Sequence, residues 1–283
     1  MEAHPQPRSG GRAPRRIEEL PRMSLLQHLE ELRIRLVRAV LAITAVFALL
    51  WLRVDWLVNL LAPRLGSSWR LASGTTGVEL VLEFLAAPIY RLLPEGKRLA
   101  FLGITDPFIL YVKAALLASL FIASPVVLYQ LWRFAAPGLY SHERRFVLPV
   151  VTSGTLFFLG GGAFAYFVAF PFAARVLLDM GAGFEPMLTV ERYFRFLLTI
   201  LVGLGAMFEL PVAIFLLAWA GVVSPGFLMR NFRWAVLLIF VAAAVITPTP
   251  DVVNLCLFAV PTLGLYLLGT GAAWLVWRKR HEQ

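Results

Sequence analysis

Three acidic residues in an otherwise apolar sequence have the chemistry of candidate binding groups. Glu31 lies in the segment HLEELR, Glu143 in SHERR and Glu209 in FELP. An ionised carboxylate only accepts hydrogen bonds, so each is suited to a cationic or hydrogen-donating ligand. Ionisable residues within apolar segments are candidate functional sites.

Glu31 lies in a segment with helical periodicity. Four leucines recur at the spacing of one helix face: Leu25, Leu29, Leu32 and Leu36. Glu31 and Arg35 are four residues apart, a spacing at which a helical ion pair contributes about 0.3 kcal/mol. By pattern alone, this segment is interpreted as a solvated helix face with weak ion pairs.

Glu143 lies in a polar connection between two apolar stretches. Ser141 is predicted to cap the following helix, which places Glu143 in its first turn. A carboxylate there complements the helix dipole. By pattern alone, this structural role is the favoured interpretation.

Glu209 lies well inside an apolar stretch. An unpaired carboxylate in the hydrocarbon costs at least about 2.5 kcal/mol, so Glu209 is expected to be protonated or paired. Pro211 has no N–H and leaves the carbonyl of Met207 without its helical partner, which predicts a kink. A buried structural hydrogen bond is one interpretation, and a role in partner binding or conduction is favoured over it.

The sequence contains no motif for metal binding, nucleotide binding or nucleophilic catalysis. His28 and His142 adjoin carboxylates, but no HExxH motif, cysteine pair or histidine cluster accompanies them. Neither a GxxxxGK loop nor a GxSxG motif is present. Cys256 is the single cysteine, so no intramolecular disulfide can form. We predict no metal, no cofactor and no enzymatic activity.

The composition predicts an all-α membrane protein. Of the 283 residues, 59% are hydrophobic and 15% are charged, against about 25% charged in soluble domains. Six stretches are predicted to cross the membrane as helices: 34–52, 107–131, 146–170, 194–220, 232–246 and 252–277. The fifth and sixth spans are predicted to be short. The fifth covers about 22 Å, because a helix rises 1.5 Å per residue.

The segments outside the spans are predicted as two tails and one long loop. Residues 1–22 are expected to be a disordered basic tail, 23–277 the six-helix domain and 278–283 a second basic tail. In the loop 53–106, the stretch 78–93 is interrupted by Pro88 and is predicted to be an interfacial helix.

The net charge of +9 is concentrated on one side of the predicted membrane topology. Basic residues predominate in the segments on the side of the N-terminus, whereas basic and acidic residues nearly balance on the opposite side. The positive-inside rule therefore places both termini in the cytosol and explains the charge without nucleic acid. The basic tails are suited to contact anionic lipids.

Five segments, in this order, resemble the TatC family, the receptor subunit of the twin-arginine protein translocase. They are HLEELRIRL at 28–36, SPVVLYQLWRFAAPGLYSHERR at 124–145, GGAFAYFVAFP at 161–171, FELPVAIFLL at 208–217 and TPTPDV at 247–252.

The resemblance implies a receptor for twin-arginine signal peptides. It places the binding residues in the first helix and the first cytosolic loop: Glu31, Leu32, Arg33, Phe134, Glu143 and Arg144. Two separate carboxylates suit two adjacent arginines, because a planar guanidinium binds a carboxylate through two parallel hydrogen bonds. Arg33, Arg144 and Arg145 are expected to compete for these carboxylates.

The resemblance also implies partners and structural positions. It links Glu209 and Pro211 to single-span proteins of the TatA and TatB type, in a multi-copy complex driven by the proton-motive force. It implies the inner membrane of a prokaryote. The structural loop positions would be Pro88, Pro137, Pro248, Pro250 and Asp251. Pro63 is an alternative match to Pro88 because the loop is long, and Thr249 separates the two later prolines.

Two other functions are compatible with a polytopic protein. A small-solute transporter would show paired broken helices in two related halves, and no internal repeat is evident. A membrane-embedded transferase or hydrolase would need several polar groups at one depth, whereas Glu209 is a single buried acid.

Overall fold

The computed structural model describes residues 25–52, 75–93, 99–135, 147–184, 187–247 and 251–281. These residues are mainly helical, and no strand occurs among them apart from an isolated bridge between Ala100 and Thr189. For this part of the chain, the predicted all-α class is confirmed.

The helices are numbered in chain order. They are α1 (Leu25–Leu50), α2 (Gly77–Tyr90), α3 (Asp106–Ala135), α4 (Val147–Phe164), α5 (Phe170–Met180), α6 (Val190–Phe208), α7 (Leu210–Trp219), α8 (Pro225–Arg230), α9 (Phe232–Ile246) and α10 (Val252–His281). A π-helical turn at Ala165–Ala169 joins α4 to α5.

Four helical segments of the described chain are long and apolar enough to cross a membrane. They are Asp106–Phe134, Leu148–Met180, Val190–Trp219 and Val252–Arg278, and Phe232–Ile246 is a shorter apolar helix. Helix α1 is not among them, since every stretch of 18 residues in it holds at least three charged residues. Six spans therefore remain a prediction.

Helix α10 differs from the predicted short sixth span. It runs for 30 residues and continues through Pro261. Helix α9 has the predicted bounds and is 15 residues long. Only the fifth predicted span is therefore short.

The helix predicted within 78–93 is present as α2, although Pro88 does not interrupt it, and its interfacial position remains a prediction. It is one continuous helix, capped by the hydroxyl of Thr76, which accepts from the N–H of Glu79. Val78, Leu85 and Ile89 are buried, and α2 packs against α3 and α5. The helix therefore belongs to the protein core on one face.

Pro88 does not interrupt α2 because another residue replaces its missing N–H. The carbonyl that Pro88 leaves without a helical donor is that of Phe84, four residues earlier. The hydroxyl of Tyr166, in the π-helical turn, donates to this carbonyl. The hydroxyl of Tyr193 donates to the next carbonyl, that of Leu85, at 2.6 Å.

Helix α6 lies at the centre of the bundle. Leu197, Ile200 and Leu204 are fully buried along it. At Gly161 of α4, a Cβ would lie 2.8 Å from the carbonyl oxygen of Leu204, so α4 and α6 approach as closely as glycine allows. Small residues at helix crossings permit this close packing in membrane proteins.

Candidate functional site

Glu31 and Arg35 lie on the face of α1 that packs against α3. Their side chains retain only 21% and 12% of their exposure. The leucine stripe lies on a different face, and Leu29, Leu32 and Leu36 are all exposed. The predicted ion pair of Glu31 with Arg35 is present, but both side chains are half-buried beside α3 and not fully solvated.

Arg35 holds one oxygen of the Glu31 carboxylate. Its Nε donates to Oε1 at 3.0 Å, and its Nη2 donates to the same oxygen. The other oxygen, Oε2, is buried and has no hydrogen-bond partner among the described residues. One oxygen of this carboxylate therefore has acceptor capacity that no described residue uses, and it is covered in the present arrangement of side chains.

The carboxylate of Glu31 opens into a crevice of about 290 Å³ between α1 and the end of α3. The crevice is lined by two acidic, three basic and two other residues: Glu30, Glu31, Arg35, Arg38, Arg133, Gln27 and Ile34. Arg133 comes from α3 and donates through Nη1 to the hydroxyl of Tyr129 at 2.8 Å. Charged groups of both signs thus line one open site, which is suited to a charged peptide segment.

The other predicted binding residues of the described chain adjoin this crevice in sequence. Leu32 and Arg33 follow Glu31 and are exposed, whereas Phe134 follows Arg133 and is half-buried. Arg35, which was not predicted as a binding residue, is the arginine that pairs with Glu31 in this part of the chain. Its spacing from Glu31 was visible in the sequence, but its burial was not.

Some predicted positions lie outside the described residues. These are Glu143, Arg144, Pro137, Pro248, Pro250 and the alternative Pro63. Their roles, and the pairing of Glu143 with a second arginine, remain predictions.

Glu209 interrupts the long helical segment between α6 and α7. It lies alone between the two helices, two residues before Pro211, which is in the first turn of α7. Both carboxylate oxygens are buried without a hydrogen-bond partner among the described residues. Within the described chain, Glu209 is therefore a buried polar group without a hydrogen-bond partner.

Trp132 is a polar neighbour of Glu209 that the sequence analysis missed. A Cβ on Gly154 would lie 3.1 Å from Glu209 Oε2 and 3.2 Å from Trp132 Nε1. Trp132 Nε1 is also buried without a partner in the described chain. A buried indole normally finds an acceptor, so a tryptophan beside the predicted loop was the available signal.

Asp251 acts as the N-cap of α10. Its Oδ1 accepts from the backbone N–H of Asn254 at 2.7 Å, and its Oδ2 accepts from the side-chain amide at 2.8 Å. Asn254 is fully buried. No group of three histidine, cysteine, aspartate or glutamate side chains comes together as a metal site within the described residues.

Comparison with known proteins assigns this architecture to a family. The model of the Sec-independent protein translocase protein (TatC) family matches residues 27–261. The chain belongs to the TatC family. It is therefore a protein translocase component and not an enzyme.

Curated TatC proteins match most of the chain. The TatC of Koribacter versatilis is 43% identical over 272 residues, covering 94% of this chain and 92% of the relative. The TatC of Aquifex aeolicus is 34% identical over 265 residues, covering 92% and 98%. The TatC of Escherichia coli K12 is 33% identical over 247 residues, covering 87% and 86%.

The fold agrees with solved TatC structures. The crystal structure of the twin arginine translocase receptor TatC superposes with a TM-score of 0.69 at 34% identity, covering 88% of this chain and 99% of the other. The same receptor in DDM gives a TM-score of 0.69 at 33% identity, covering 86% and 98%. The chain therefore has the fold of a TatC membrane translocase protein.

Proposed function

We propose that this TatC protein is the receptor that binds twin-arginine signal peptides for the transport of folded proteins. The observation that carries the proposal is the partly buried carboxylate of Glu31 in an open crevice between α1 and α3, whose buried Oε2 has no hydrogen-bond partner among the described residues. Leu32, Arg33 and Phe134 adjoin this crevice, and Glu143 with Arg144 is proposed to supply a second carboxylate site.

The chemistry of the crevice favours arginine over lysine. Guanidinium is planar and permanently charged, and it offers two parallel N–H donors to one carboxylate. A lysine ammonium cannot form this fork. A hydrogen bond to a charged group contributes about 1.5–3 kcal/mol, so losing one part of the fork costs about tenfold or more in affinity.

The proposed setting is the inner membrane of a prokaryote, with six spans and both termini in the cytosol. The apolar helices and the distribution of basic residues support this arrangement. The crevice of Glu31 would then face the cytosol, where signal peptides arrive. The partners would be TatA- and TatB-type single-span proteins in a multi-copy complex, with transport driven by the proton-motive force.

Glu209 is proposed to bind one of these single-span partners. Its unpartnered oxygens and the N–H of Trp132 offer an acceptor and a donor at one place. A hydrogen bond is strong in this low-dielectric setting, and the partner would satisfy groups that have no hydrogen-bond partner among the described residues.

The receptor function is tested by peptide binding to the purified protein in nanodiscs. A twin-arginine signal peptide should bind, its twin-lysine version should bind at least about tenfold more weakly, and both Glu31→Ala and Glu143→Ala should abolish selectivity. Equal binding of the two peptides by well-folded protein would contradict the proposal. A transport assay with a small solute would then test the alternative.

A further inference from the structure

We infer that Arg35 is a built-in competitor of the signal peptide, holding the Glu31 carboxylate when no peptide is bound. The inference rests on the proposed receptor function and adds a regulatory contact to it. Its basis is that a guanidinium of the protein itself already occupies the group proposed to receive a guanidinium of the ligand.

Arg35 uses only one of the two oxygens of the Glu31 carboxylate. Arg35 and Glu31 are one helical turn apart on the same helix, and both donors of Arg35 reach the single oxygen Oε1. A free guanidinium binds a carboxylate in a fork that uses both oxygens. Oε2 is buried and unpartnered in the described chain, so Arg35 leaves it unused, and an incoming arginine gains this acceptor once the side chain of Arg35 moves aside.

The charge of the crevice favours departure of Arg35 when a peptide arginine enters. Among the described residues, two carboxylates, Glu30 and Glu31, line the crevice with three guanidinium groups, those of Arg35, Arg38 and Arg133. A further cation would add to this excess positive charge in a partly enclosed space. Arg35 has a long flexible side chain whose head can reach water while its stem stays on the helix surface.

Competition within one site has a defined thermodynamic signature. If Arg35 occupies Glu31 for most of the time, the apparent affinity of every cationic peptide is divided by the same factor, because only the open fraction of the receptor binds. Removing Arg35 should therefore strengthen the binding of twin-arginine and twin-lysine peptides equally. The ratio of their affinities should stay unchanged.

The opposite result is expected if Arg35 positions Glu31 for binding. Loss of Arg35 would then weaken the twin-arginine peptide most and reduce the preference for arginine. The two roles thus predict changes of opposite sign in affinity, and only one of them alters the preference.

The test compares Arg35→Gln with wild type by titration of both synthetic signal peptides in nanodiscs. The matched control is Arg195→Gln, which removes an arginine from an ion pair of the same i,i+4 spacing with Glu191, away from the crevice. Arg35→Lys keeps the charge without the fork and serves as a second variant if Arg35→Gln folds poorly.

We expect Arg35→Gln to bind both peptides about three- to tenfold more tightly, with an unchanged ratio of the two affinities. Arg35→Lys should give a smaller increase in affinity, and Arg195→Gln should bind both peptides as the wild type does. Unchanged or weaker binding by Arg35→Gln, or a change in the ratio, would overturn the inference. Failure of the wild-type protein to prefer twin arginine would instead refute the proposed receptor function.

Discussion

The hydroxyl of Tyr166 takes the place of the backbone N–H that Pro88 lacks. It donates to the carbonyl of Phe84, which in a helix without proline would accept from residue 88. The rings of Phe84 and Tyr166 also stack, with centroids 4.3 Å apart. The π-helical turn that carries Tyr166 is thus joined to α2 by one hydrogen bond and one ring contact.

This relationship predicts that the effect of Tyr166→Phe depends on residue 88. Tyr166→Phe keeps the ring contact but leaves a carbonyl unpaired, and should lower the free energy of unfolding by about 1–3 kcal/mol. In a Pro88→Ala background the backbone N–H of residue 88 can donate to the carbonyl of Phe84. Tyr166→Phe should then lower the free energy of unfolding by clearly less. Denaturant unfolding in detergent micelles measures both, and equal costs in the two backgrounds would contradict the assignment.

Glu209→Leu should stabilise the isolated protein and impair transport. The change removes two buried oxygens that lack partners in the described chain, each of which costs about 1–3 kcal/mol. The thermal unfolding midpoint should therefore rise, whereas export of a twin-arginine cargo in cells should fall if Glu209 binds a partner. The control is Glu191→Leu at an exposed position, which should change stability by no more than about 0.5 kcal/mol. A fall in the midpoint of Glu209→Leu would show that the carboxylate is satisfied after all.

Trp132 and Glu209 should be energetically coupled. The indole N–H of Trp132 and the carboxylate of Glu209 flank the same position above Gly154, and neither has another partner among the described residues. A double-mutant cycle of Trp132→Phe and Glu209→Leu should give a coupling free energy of about 0.5–1.5 kcal/mol in unfolding. The pair Trp132→Phe and Glu191→Leu provides the additive reference. Additivity in both cycles would mean that the two buried groups do not interact.

Neighbouring glycines of α4 should respond oppositely to alanine. A Cβ at Gly161 would lie 2.8 Å from the backbone oxygen of Leu204, which cannot move without shifting α6. Gly161→Ala should therefore destabilise the protein by about 1–3 kcal/mol. A Cβ at Gly160 has no atom within 4 Å, so Gly160→Ala should stabilise by up to about 1 kcal/mol through helix propensity. Similar unfolding midpoints for the two variants would contradict the close helix contact.

Asp251→Ala should weaken the start of α10. It removes the acceptors for the backbone N–H and side-chain amide of the buried Asn254, with an expected cost of about 1–2 kcal/mol. Asp251→Asn retains a capping oxygen and should cost less. Hydrogen exchange of the first turn of α10 would report the loss locally, and unchanged protection in Asp251→Ala would contradict the capping role.

The sequence by itself determined the apolar helices, the bounds of α9, the interruption near Pro211 and the family. These features depend on composition, on residue type or on motifs a few residues long. Proline and the absence of charge act locally, so their consequences can be predicted without knowing how the helices pack. At Pro88 the sequence suggested an interruption, but α2 continues through it because the compensating hydroxyl comes from Tyr166, distant in the chain.

Tertiary structure decided which residues meet. The leucine stripe of α1 indicated one buried face, but in a membrane protein lipid can cover an apolar face, and the face with Glu31 and Arg35 packs against α3 instead. Helices that are apolar all round carry no periodic signal for their contacts. The meeting of Trp132 with Glu209 above Gly154 joins three separate helical segments. Such a contact depends on the packing of whole helices, which local spacing does not encode.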